Sequence, residues 1–131
     1  MDIKALAKEY NLKHEDFWKC HNSWILTHDA CTKIAHMENI KLMKIESIYQ
    51  SETTCRFLIT MGKFKKDVCV DSITSVGEAT FGKNCKISYT CSMSEKRGID
   101  RCVLKLINAY EYGIYSEVEA DDFKKENNKW K

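Results

Sequence analysis

Four cations, Lys96, Arg97, Arg101 and Lys105, fall within the segment SMSEKRGIDRCVLKLINAYEYG, residues 92–113. Ile99, Val103, Leu106, Ile107 and Tyr110 recur there at i, i+4, i+7, i+8 and i+11, which is one apolar face of a helix. At 100° per residue, Arg97, Arg101 and Lys105 form a stripe roughly opposite that face. Arg101 follows Arg97 at i+4 and Lys105 follows Arg101, so like charges stack where a carboxylate would relieve them. Arg56, Lys63, Lys65, Lys66, Lys83 and Lys86 add to the same sign, and residues 56–105 hold ten Lys or Arg against five Asp or Glu. A stripe of this kind is often only the solvated side of a helix. Repelling cations without acidic partners point instead to a partner from outside, and a phosphate backbone is the obvious one.

Other chemistries are less well served. Cys20, His21, His28, Cys31 and His36 lie close in sequence, but no CxxC or HxxxH pair occurs and the spacing fits no zinc knuckle or ribbon. Asp71 and Glu78 could hold Mg²⁺ for a nuclease, yet the lysine that usually follows a strand-borne carboxylate is missing; Asp67 and Asp71 read as exposed strand residues. Neither a GxxxxGK[ST] loop nor a GxSxG elbow is present. The expectation is therefore a binding protein without catalytic residues, metal or cofactor. Among the aromatics, Tyr110, Tyr112 and Tyr115 read as packing residues, whereas Phe64 and Phe81 stand in turns beside lysines, where a ring can stack on an unpaired base.

The chain has 131 residues, 44% apolar and 31% charged, with a net charge of +2. That is the composition of one soluble globular domain. No apolar run reaches the ~20 residues of a membrane span, and the opening MDIKALAKEYNLKHEDF is no signal peptide. Seven cysteines, an odd number, read as reduced thiols in a cytoplasm, with Cys85 and Cys91 as small buried hydrophobes flanking a loop.

The elements that must position the cations follow from periodicity. Ile3, Leu6, Ala7 and Tyr10 mark an opening helix, and HEDFWKC adds a short helical turn, giving an N-terminal helical extension over 1–26. Thr27 N-caps a helix running to about Glu38, with Ala30, Ile34, Ala35 and Met37 on its buried side. KLMKIESIYQ, TCRFLITMG and DVCVDSITSV are three strands; in the second, Cys55, Phe57, Ile59 and Met61 alternate with Arg56, Leu58 and Thr60. MGKFKKD forms the hairpin tip, with Gly62 taking positive φ. Ser92 and Glu95 form a capping box that starts the long helix, Gly98 allows a close backbone approach, and Gly113 ends the helix. Ser116 with Glu119 starts a short acidic helix in a tail over 116–131. The fold class is α+β: helix, three-stranded antiparallel β-meander and long amphipathic helix as a β-β-β-α core over 27–115, then a short C-terminal helix.

This order, with KDVCVDSITSVGEA leading to MSEKRGIDRCVLKLINAYEYG, resembles the core of single-strand annealing proteins of the Rad-fifty-two-like superfamily, which includes phage recombinases. Glu95-Lys96-Arg97, Asp100-Arg101, Val103-Leu104-Lys105 and Gly113 carry the resemblance, which covers roughly residues 28–123. It implies ATP-independent binding of single-stranded DNA, annealing of complementary strands, a groove between sheet and basic helix, and assembly into rings or filaments. Arg97, Arg101 and Lys105 are the implied phosphate contacts, with Lys96 beside them; the residues themselves add Arg56, Lys63, Lys65 and Lys66. The alternative is a protein-interaction module, such as a recombination mediator or inhibitor, docking a basic partner through the acidic segment 117–122. A metal-dependent nuclease is the third reading.

Overall fold

Why the meander forms is plain in its middle strand. The computed structural model describes residues 2–86 and 88–119. In β4 (Thr54–Lys65), Cys55, Ile59 and Met61 are buried and Phe57 half-buried, while Arg56 points out. The alternation that predicts a half-buried strand is present. β3 (Ile40–Gln50) and β5 (Val68–Thr80) pair antiparallel on either side of it, in the order β3-β4-β5. The β4–β5 turn is tighter than expected: Gly62 lies inside β4, and Lys66, with φ of 56°, makes the left-handed step at the tip. Gly62 instead lacks a side chain because a Cβ there would meet the Met43 sulfur at 2.5 Å.

Helix α3 (Thr90–Leu106) packs on the inner face of β4 and β5. It begins before Ser92, with Tyr89 as N-cap, since its first turn carries Cys91, disulfide-bonded to Cys55 of β4. Cys55 and Cys91 are thus not the reduced thiols expected, whereas Cys85 is buried and forms no disulfide. The α-helix stops at Leu106; Asn108 turns left-handed, a 3-10 turn follows over Ala109–Tyr112, and Gly113 closes it at φ of 69°. Val103 and Ile107 are buried in the core, with Ile99, Leu106 and Tyr110 packed against it, as the spacing predicts.

Two glycines set the helix–sheet distance. A Cβ on Gly77 of β5 would stand 1.9 Å from the Ser94 carbonyl oxygen, and one on Gly98 would stand 2.6 Å from Ile59 Cδ1. Ser94 Oγ donates to Gly77 O at 2.7 Å within this contact.

The N-terminal third departs from the helical extension expected of it. After α1 (Ile3–Glu9) and a 3-10 turn at His14–Asp16 comes a hairpin, β1 (Phe17–Cys20) and β2 (Ser23–Leu26). β2 then pairs parallel with β6 (Ile114–Ser116), a strand placed where only the lead into a C-terminal helix was expected. Helix α2 (His28–Met37) starts as read, with Ala30 N–H donating to Thr27 Oγ1 at 3.0 Å, but Met37 is exposed. The tail from Ser116 contains a 3-10 turn, Glu117–Glu119, in place of the start of an α-helix; residues 120–131 lie outside the described residues. No helix among the described residues is long and apolar enough to cross a membrane.

Candidate nucleic-acid interface

The helix cations do not form the exposed stripe that the periodicity suggests. Arg97 is 1% exposed. Its guanidinium donates to the carbonyls of Glu78 (3.0 Å), Asn84 (2.7 Å) and Val118. Arg101, half-buried, donates to the Val76 carbonyl at 2.6 Å and pairs with Glu119 at 3.5 Å. Lys105, exposed, reaches Ser75 Oγ at 3.0 Å. Geometry explains the series. Four helical residues rise about 6 Å and two strand residues about 6.6 Å, so i+4 steps on α3 match alternate residues of an antiparallel β5. β5 is an edge strand, and its alternate carbonyls have no ladder partner. Arg97 and Arg101 supply the missing donors. The cations lack acidic i+4 partners on the helix because backbone oxygens of the same chain receive two of them.

The acidic segment is likewise engaged within the chain. Glu117 accepts from the His28 backbone N–H at 3.0 Å, and Glu119 accepts from the Ser116 N–H at 2.7 Å and from the Tyr110 hydroxyl. Beneath them Asp100, fully buried, receives Ser116 Oγ and faces His28 Nδ1 at 2.8 Å. These contacts weaken the case for 117–119 as a free docking surface; residues 120–122 lie outside the described residues.

The His28–Asp100 bond raises the histidine pKa above its usual value, against an opposing effect of burial. A raised pKa in the folded state stabilises the protein fully below the unfolded value of about 6.5, and that contribution fades as pH rises through the folded pKa. Thermal unfolding should therefore show a stability loss on moving from about pH 6 to about pH 8 that is missing in His28→Asn. The same slope in both proteins would contradict it.

The outer face of the larger sheet, opposite α3, is where aromatic rings and cations meet. In-register pairing puts Lys41, Lys44, Glu46 and Tyr49 of β3 on the same face as Gly62, Thr60, Leu58 and Arg56 of β4. Lys41 Nζ lies 5.8 Å from the centre of the Phe64 ring, and the Arg56 guanidinium 5.3 Å from that of Tyr49. Arg56 also faces Glu78 at 3.9 Å. Ile40↔Lys63 is the last β3–β4 pair, so the β4–β5 hairpin runs past β3 and carries exposed Lys65 and Lys66 at its tip. Lys63 is drawn to Glu38 at 3.3 Å. Lys96 is exposed on α3, away from this face.

The structure thus sets Tyr49 and Arg56 at one end of the β3–β4 ladder and Lys41, with the Lys65 and Lys66 tip, at the other; Lys41 and Tyr49 are the residues that sequence reasoning missed. Their signal was the polar half of KLMKIESIYQ. Phe64 stands with Lys41 at the hairpin end, while Phe81 lies apart in a bridge with Cys85. Asp71, opposite Lys63, and Glu78, opposite Arg56, project from opposite faces of β5, so they do not form one metal site. Among the described residues no three His, Cys, Asp or Glu side chains are gathered as metal ligands.

Comparison with known proteins finds no matching family model, no matching curated protein and no matching solved structure.

Proposed function

We propose that the protein binds single-stranded DNA and promotes annealing of complementary strands without ATP, with the strand lying on the outer face of the sheet. The observation that carries this is the pair of rings, Phe64 and Tyr49, each with a cation over it, on a sheet face that α3 leaves open. Bases stack on such rings whatever their sequence, and Lys41, Arg56, Lys65 and Lys66 provide charge for the phosphates. Lys96 and Lys105 remain exposed on the helix side and are the competing contacts. The β-β-β-α order that prompted the annealing expectation is present, but the strand is placed on the outer face instead of the implied groove between sheet and helix, where Arg97 and Arg101 are held by carbonyls of the chain itself.

Stacking on an aromatic ring is worth about 1–3 kcal/mol per base. Phe64→Ala should thus weaken binding of a labelled single strand roughly 5- to 150-fold in a gel-shift titration, with Tyr49→Ala weaker in the same direction. Neither ATP nor Mg²⁺ should be required, and duplex of the same sequence should bind less tightly. Unchanged affinity in the folded Phe64→Ala, Tyr49→Ala double variant would remove the sheet face from consideration.

A further inference from the structure

The two edges of the larger sheet are treated differently. On β5, Arg97 and Arg101 occupy the edge carbonyls of Glu78 and Val76. β3 is the opposite edge, 11 residues long, and only Ile40 of it is buried. Helix α3 stops over β4 and β5, so both faces of β3 are open along most of its length. Leu42, Met43, Ile45, Ile48 and Tyr49 are each 42–51% exposed on this one strand. A long edge with unpaired backbone groups and apolar side chains on both faces is a template for another strand.

We propose that the strand it takes is β3 of a second copy of this chain, antiparallel about a two-fold axis through Ile45. The charge pattern argues for self-pairing. With Ile45 at the axis, Lys44 stands opposite Glu46 of the second copy, and Glu46 opposite its Lys44. Both residues are exposed and lie on one face, 3.7 Å apart within the chain, so the axis brings four alternating charges together. Bulges at Leu42/Lys44 and Ser47/Tyr49 twist the strand on either side of the axis, confining regular pairing to its middle. The interface is isologous and closes as a dimer. It differs from the ring or filament expected by resemblance. This inference does not rest on DNA binding; if both hold, the two outer faces become one platform.

Sedimentation of the full-length protein without DNA, from about 1 µM to about 1 mM, tests it over the Kd range open to such a contact. The wild type should pass from monomer to dimer. Lys44→Glu and Glu46→Lys should each raise the dimer Kd about tenfold or more, because like charges then face each other twice. The double reversal should restore the wild-type value. Circular dichroism of each variant checks that the fold is kept. A wild type that stays monomeric throughout, an assembly larger than a dimer, a dimer unmoved by either single reversal, or a double reversal that stays dissociated overturns the proposal.

Discussion

Gly77→Ala should lose about 3 kcal/mol of stability, the upper end for overpacking and one of the two largest effects expected of a single substitution in this chain. The new methyl would lie 1.9 Å from the Ser94 carbonyl oxygen and 2.7 Å from the Gly98 amide nitrogen. Both are backbone atoms of α3, so no rotamer change relieves the overlap; the helix must move off the sheet. Moving it also breaks the Ser94–Gly77 hydrogen bond and the contact of Cys102 Sγ with the Ile59 carbonyl. Gly98→Ala is the control. Its methyl meets the end of the Ile59 side chain, which can rotate, so the loss should be smaller. Urea unfolding of the two variants beside wild type measures the difference. A Gly77→Ala protein within about 1 kcal/mol of wild type would show that the helix is not held so closely.

Arg97→Ala should cost about 3 kcal/mol, since hydrogen bonds to a charged donor are worth about 1.5–3 kcal/mol each and three are lost, offset in part by water reaching the vacated carbonyls. Its guanidinium is enclosed and donates to three carbonyls from three segments: β5, the loop at Asn84 and the turn at Val118. Removing it leaves three partly buried acceptors without their donor and unties the three segments. Lysine is no substitute, because one ammonium on a flexible stem does not reproduce a planar fork of five donors. Arg97→Lys should therefore recover little of the loss. A surface arginine waiting for phosphate would behave otherwise, leaving the urea midpoint unchanged and weakening DNA binding alone. That outcome would return Arg97 to the nucleic-acid interface.

These two residues also mark what the sequence conceals. The meander was legible because β4 has one covered face, and Cys55, Phe57, Ile59 and Met61 keep the period of two. The apolar side of α3 was legible for the same reason. Its second buried side was not, because it is built from Ser94, Gly98 and Cys102, small residues that a hydrophobicity pattern ignores. Their i, i+4, i+8 spacing is the signal that a sheet approaches closely there. Read that way, Arg97 and Arg101 fall at the flank of a contact instead of in solvent. The β1–β2 hairpin and β6 escaped because they are only three or four residues each, too short for a period to show. The parallel pairing of β2 with β6 joins segments some 90 residues apart, which no local pattern encodes. Ser92 and Glu95 did mark the neighbourhood of a helix start, but the chain enters α3 two residues earlier, at Thr90.

Salt dependence of single-strand binding tests most directly whether the strand lies on the outer sheet face or along α3. Each phosphate contact contributes about 0.7 to the slope of log K against log salt. Lys65→Gln with Lys66→Gln removes charge from the hairpin tip, and Lys96→Gln with Lys105→Gln removes it from the helix; all four side chains are solvent-exposed. The first pair should flatten the slope by about 1.4, while the second should leave it within error of wild type. A slope that holds in the first variant and falls by about 1.4 in the second would put the DNA along the helix and contradict the sheet-face interface.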